Sequence, residues 1–147
     1  MQDIDNARSN HQIRNMHALA AAGKCLFCPD GLTFAKQQPV FKTKFWYVKP
    51  NDYPYDGAQV HIMTVPHRHV LSPTELTTEE IVELYHVVIP RIQTEHNMPG
   101  CSGFFRFGDT KFTGATIHHF HMHFVKGVKK PTTGEVKPIF ALVGYKP

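Results

Sequence analysis

Residues 117 to 125 read Ile-His-His-Phe-His-Met-His-Phe-Val. In an extended strand alternate side chains share a face, so His119, His121 and His123 present three imidazoles about 7 Å apart on one side. Phe120, Met122 and Phe124 turn the other way, toward a core. Imidazole titrates near neutral pH, and its neutral form is both a nucleophile and a metal ligand. Three uses therefore stay open: covalent attack on an electrophile such as phosphorus, direct metal binding, or a half-exposed sheet face with no chemistry. A triple chelate by one strand alone is awkward at this spacing. His118 falls on the apolar side and has no assigned role. A second constellation is Cys25-x-x-Cys28. It supplies two of the four N or S ligands that tetrahedral zinc takes; a reduced, metal-free pair is the bland alternative. Cys101, far away, reads as a small buried side chain.

These groups need a scaffold. The segment Asn6 to Ala22 is rich in helix formers and stops at Gly23, ahead of a Cys-Leu-Phe-Cys-Pro-Asp-Gly turn. Phe45 to Lys49 and Val60 to Val65 read as strands, separated by a Pro-, Asn- and Gly-rich turn. Thr77 and Glu80 form a capping box, after which Ile81, Leu84, Tyr85, Val88 and Ile92 recur at helical spacing. Pro90 lies inside that pattern and predicts a kink or break. Gly103 to Phe107 reads as a strand, Gly108 to Gly114 as a loop, Thr116 to Val125 as a long strand and Ile139 to Val143 as a last strand. Short links between strands imply an antiparallel sheet with packed helices, an α+β fold.

The chain has 147 residues, 41% hydrophobic and 19% charged, which suits a single soluble domain over 1–147, with 1–24 as an N-terminal helical extension. No apolar run approaches the roughly 18 residues of a membrane span. The polar start is unlike a secretory signal, and three cysteines do not suggest a disulfide framework, so a cytoplasmic location is expected. A net charge of +4, not clustered, suits a small anionic partner better than a nucleic-acid groove.

The run His119-Phe120-His121-Met122-His123-Phe124-Val125 resembles, at every position, the His-φ-His-φ-His-φ-φ signature (φ apolar) of the histidine triad superfamily of nucleotide hydrolases and transferases. Gly114-Ala115-Thr116-Ile117 resembles the family's lead-in. Val60 to Val70 resembles its His-apolar strand ending in Pro-x-x-His-Val, and Cys25 to Cys28 resembles the opening of its zinc-bearing members. The resemblance implies a five-stranded antiparallel sheet with packed helices, a homodimer, and chemistry at the α-phosphate of a purine nucleotide conjugate. It implies a catalytic set of His121, the covalent nucleophile, with His123, His119 and His61, and a substrate set of Asn51, Thr116 and His123. It also implies a structural zinc held by Cys25, Cys28, His69 and His119. Two alternatives belong to other classes: a non-catalytic nucleotide-binding module of the same fold, and a metal-storage or metal-sensing protein. The sequence departs from the family in two places. Ala115 stands where the family carries Gln, and the loop from Arg106 to Thr113 is long. Arg106, Asp109 and Lys111 there read as solvated charges that could otherwise replace the lost contact.

Overall fold

The computed structural model describes residues 2–7 and 9–146. A short 3₁₀ turn (Ile4–Asn6) precedes helix α1 (Asn10–Ala21), capped by the Ser9 hydroxyl, which accepts from the Gln12 amide. Helix α2 (Pro29–Phe34) follows the Cys-x-x-Cys turn. Strands β1 (Phe41–Lys42), β2 (Trp46–Pro50) and β3 (Val60–Pro66) come next. Then α3 (Thr78–Glu83), a π-helical turn (Leu84–Val88) and α4 (Ile89–Glu95) lead to β4 (Ser102–Arg106). A four-residue helix α5 (Thr110–Thr113) and strand β5 (His121–Lys126) complete the set. The five strands form one antiparallel sheet in the order β1-β2-β3-β5-β4, so the expected α+β architecture with five strands is present.

Both faces of this sheet are covered, and strand parity sorts the residues between them. Trp46, Val48, Ile62, Met122 and Phe124 pack against Leu84, Val88 and Ile92 of the α3–α4 layer. Tyr47, Met63 and Val65 pack on the opposite face against Phe27, Leu32 and Ile117. Trp46, Tyr47 and Val48 are consecutive and all fully buried, as a strand with two covered faces requires. The Trp46 indole donates to the Glu80 carbonyl at 2.9 Å, and the Thr43 hydroxyl donates to Glu83 at 2.8 Å, fixing the helical layer to the β1–β2 hairpin. The capping box at Thr77 and Glu80 forms as the sequence predicts. Buried Glu80 also receives Arg68, whose Nη2 lies 2.9 Å away.

The interruption expected at Pro90 takes the form of the π turn. There the Ile89 N–H reaches back five residues to the Leu84 carbonyl. Proline has no N–H to continue the α pattern, and the widened turn absorbs that gap while the apolar face continues to Ile92. Other expectations need correction. The strand expected from Thr116 begins only at His121. Pro66 ends the neighbouring strand, and its carbonyl accepts from the His119 ring rather than from a ladder amide. Residues 116–120 are irregular apart from one bridge between Gln2 and Ile117. Ile139 to Val143 is not a strand: the Leu142 carbonyl accepts from Arg106 at 2.5 Å instead. The fifth strand is Phe41–Lys42, too short to show a period. The Cys-Pro-Asp-Gly turn opens α2, and the 108–114 loop contains α5. Cys101 is exposed, in the turn that leads into β4.

Candidate functional site

The sheet face that carries Tyr47 and Met63 also carries two of the histidines, because β5 alternates His121 and His123 with Met122 and Phe124. On β3, His61 lies opposite Val125, and Met63 opposite His123. On β4, Phe104 lies opposite His123, and Arg106 opposite His121. Parity thus gathers His61, His121, His123 and Arg106 on one surface. Each is about 5% exposed, so none is a wet sheet-face residue.

Hydrogen bonding sets the state of each ring. The Nδ1–H of His121 donates to the His119 carbonyl at 2.7 Å, which leaves Nε2 with the lone pair. Burial, followed by the nearby Arg106 and Lys49 charges against that carbonyl bond, holds the imidazole down at about 4. It is therefore neutral at pH 7 and has one nucleophilic nitrogen. The Tyr55 backbone N–H donates to His61 Nδ1 at 3.2 Å. The opposite ring nitrogen of His61, Nε2, faces His123 Nδ1 at 2.9 Å and Asn51 Nδ2 at 3.0 Å, and the Asn51 Oδ1 accepts from the Tyr53 amide at 2.9 Å. Phe27 meets the His121 ring edge-on with centroids 5.0 Å apart, and His123 does the same at 5.0 Å.

A cavity of about 290 Å³ opens on this surface. His121, His123, Asn51, Thr116 and Arg106 line it, together with Ala115, Phe27 and one face of α1. It is at the lower end of the ~300–1,000 Å³ of ligand pockets, and its mixture of apolar wall, donors and a cation suits an amphipathic anion. Of the residues expected from sequence, His121, His123, Asn51 and Thr116 meet around one cavity, and His61 supports His123 from below. His119 does not line the cavity. It touches the site through its backbone carbonyl and turns its ring elsewhere. Arg106, read from sequence as a loop charge, ends β4 with its side chain buried. It donates to the Thr113 and Leu142 carbonyls and to the Tyr55 hydroxyl. The signal was available: Arg106 shares parity with Phe104, on the face opposite Phe105.

The His119 ring meets the two cysteines. Its Nε2–H donates to the Pro66 carbonyl at 3.1 Å, so Nδ1 offers a lone pair. That nitrogen is 3.6 Å from Cys25 Sγ and 3.8 Å from Cys28 Sγ, and His69 Nδ1 is 3.3 Å from Cys28 Sγ. All four donor atoms lie within 4.8 Å of one another. A tetrahedral ion with the usual Zn–S and Zn–N lengths places S and N about 3.6 Å apart. The donor set therefore fits a divalent metal. Burial, then the neighbouring His69, holds His119 down at about 3, keeping it in the ligating form. Burial, followed by the facing Cys25, pushes the Cys28 thiol up to about 12, and burial raises Cys25 as well. Both effects are ones that a cation among the sulfurs would reverse. Local backbone makes the cluster compact. The Cys28 amide donates to the Cys25 carbonyl at 3.1 Å, and α2 closes onto this turn only because residue 31 is glycine. A Cβ there would fall 1.8 Å from the Cys25 carbonyl oxygen.

Comparison with known proteins identifies the family and the fold. The model of the family described as "Scavenger mRNA decapping enzyme C-term binding" matches residues 24–137. No curated protein sequence matches the chain. Among solved structures, a histidine triad protein from Clostridium difficile superposes with a TM-score of 0.52 at 23% identity, covering 73% of this chain and 96% of that one. A HIT family hydrolase from Clostridium thermocellum gives 0.56 at 17% identity, with 74% and 95% covered. A histidine triad nucleotide-binding protein from Candida albicans gives 0.53 at 18% identity, with 77% and 87% covered. The shared fold is that of the histidine triad proteins.

Proposed function

The chain belongs to the family of the scavenger mRNA decapping enzyme C-terminal region, and from that premise we propose that it cleaves the α-phosphate bond of a nucleotide conjugate through a covalent nucleotidyl-His121. The single observation that carries this reading is the ring state of His121: its Nδ1–H is committed to the His119 carbonyl and the ring itself lines the cavity. Its free nitrogen is an unprotonated nucleophile at pH 7.

The reaction runs in two displacements. The Nε2 lone pair forms a bond to the α-phosphorus as the bond to the leaving group breaks, and the leaving group departs with the electron pair of that bond. Water then attacks the same phosphorus and gives up a proton to solvent as the P–N bond breaks and its electron pair returns to His121 Nε2, so a nucleoside monophosphate is released with the imidazole restored. His123 and the Arg106 guanidinium stabilise charge on the non-bridging oxygens, the main protein contribution to such transfers. Asn51 and Thr116 line the same cavity; we assign Asn51 to the ribose hydroxyls and Thr116 to phosphate. Zinc is our assignment for the metal held by Cys25, Cys28, His69 and His119. With every ligand supplied by protein it would be structural, holding the turn before α2 to the backbone that orients His121. The substrates in view are dinucleoside polyphosphates, including cap-like ones that the family description suggests, and nucleoside phosphoramidates.

Incubation of the purified chain with a diadenosine polyphosphate, a cap-like dinucleotide and an adenosine phosphoramidate is expected to release nucleoside monophosphate from at least one. Binding of the monophosphate without turnover of any would instead establish the non-catalytic module. The same preparation is expected to sediment as a dimer, consistent with the exposed Phe112, Phe140, Leu142 and Val143; a monomer at every concentration would remove that part of the proposal.

Arg106 sits where it can offset the loss of the family's Gln at Ala115. An Arg106→Ala variant is expected to lose about 10²–10³-fold in kcat, the scale of one transition-state donor, with Arg106→Lys recovering part of it. Because the buried side chain also holds two carbonyls, melting curves should accompany the rates. Unchanged kcat in a folded Arg106→Ala protein would refute the assignment.

A further inference from the structure

Helix α1 lies outside the family match, which begins at residue 24. It is nonetheless built into the site. Met16 and Leu19 are only 2% and 1% exposed. Ahead of the helix, the Asp3 amide donates to the Thr116 carbonyl at 2.9 Å, the Asn6 carboxamide donates to the Ala115 carbonyl at 2.7 Å, and the Thr110 hydroxyl donates to Asp3 at 2.9 Å. His11 near the helix start meets the Tyr53 hydroxyl at 3.2 Å, two residues from Asn51. The extension is therefore fastened on both sides of the cavity. Gln12, Asn15, Met16 and Leu19 fall at helical i, i+3, i+4 and i+7 spacing, and all four line the cavity shared by His121 and His123.

That stripe has a definite chemistry. Met16 and Leu19, with Leu26 and Phe27 from the following turn, offer an apolar surface to a flat ring. Gln12 and Asn15 add two carboxamides, each with a donor and an acceptor side by side. This pairing matches the adjacent donor and acceptor atoms on the edge of a heteroaromatic base. His121 and Arg106, assigned above to the phosphate, line the same cavity. We infer that α1 is a base-reading wall of this site, with Gln12 and Asn15 acting as specificity-determining residues that touch the base of a bound nucleotide. The inference rests on the nucleotide reading proposed above.

The test is a comparison of two ligands on the full chain. A Gln12→Ala/Asn15→Ala double variant is expected to raise KM for an adenosine 5′-phosphoramidate about 10-fold or more, at unchanged kcat. For the matching ribose 5-phosphoramidate, which lacks the base, KM should not move. Both positions are at least partly exposed on the helix surface, so the variant should melt with the wild type, and circular dichroism confirms that. If the wild type turns over neither compound, the proposed reaction fails but the helix is still testable. Calorimetric Kd values for adenosine monophosphate and ribose 5-phosphate then give the same comparison. Equal changes for the two ligands, or no change for either, would overturn the role of α1.

Discussion

Replacing His121 by alanine should reduce turnover by at least about 10⁴-fold, equivalent to more than ~5 kcal/mol of barrier, while leaving a folded, metal-loaded protein. The loss is large because no neighbouring group can take over. His123 keeps its Nδ1 engaged with His61 at 2.9 Å, and the His119 ring is turned to the cysteines. Alanine removes the ring whose Nδ1–H is committed to the His119 carbonyl, which leaves Nε2 with the lone pair. The cost to the fold is smaller. The variant loses one 2.7 Å hydrogen bond and leaves the buried His119 carbonyl without that donor, a penalty of roughly 1–3 kcal/mol. A single-turnover experiment separates the possibilities. Wild-type protein quenched in acid-free denaturant should carry the added mass of one nucleotidyl group, on the peptide that contains His121. The alanine variant should carry none. Wild-type-like rates in the variant, or an adduct on another residue, would eliminate covalent catalysis by His121.

Much of this site is legible in the sequence, and the physical reason is strand parity. A period of two along residues 121–124 fixes that His121 and His123 share a face. His121 and His123 duly line one cavity although the strand starts five residues later than its pattern suggests. What the pattern could not show was that His119 lies beyond the ladder. Its ring position depends on Pro66 ending β3 and on Val70 supplying the carbonyl that receives the Phe120 amide, contacts remote in sequence. The same limitation hides β1, only two residues long, and makes a strand of Ile139 to Val143, an apolar run whose Leu142 carbonyl is taken by Arg106. Arg106 itself was misjudged because a charged residue beside a glycine-containing loop usually faces water. Its burial follows from β4–β5 pairing. Helix α1 was visible from composition, but its contribution to the cavity was not, since helical spacing alone does not say which element the face will meet.

The metal cluster makes the second large prediction, because it joins the chemistry to the stability of the fold. Purified under non-chelating conditions, the protein is expected to hold about one zinc per chain by elemental analysis. At a free-metal level 1,000-fold above Kd, bound metal stabilises the native state by about 4 kcal/mol. For a domain of this size that corresponds to a fall in Tm of roughly 8–16 °C when a chelator removes it. A Cys25→Ser variant should melt like the stripped protein and be indifferent to chelator. The direction with pH follows from the thiols. Burial raises both, and Cys28 reaches about 12, so without metal they are protonated at neutral pH and binding must release protons. Affinity therefore rises with pH, and the chelator-sensitive part of the Tm shrinks as pH falls. Activity should decline with the metal even though no ligand enters the cavity. The His119 carbonyl that fixes the His121 tautomer belongs to a residue whose ring lies in the Cys25–Cys28–His69 cluster, so releasing that ring frees the backbone that orients His121. A protein that binds no metal, or that melts and turns over identically with and without chelator, would break this link between the cysteines and His121.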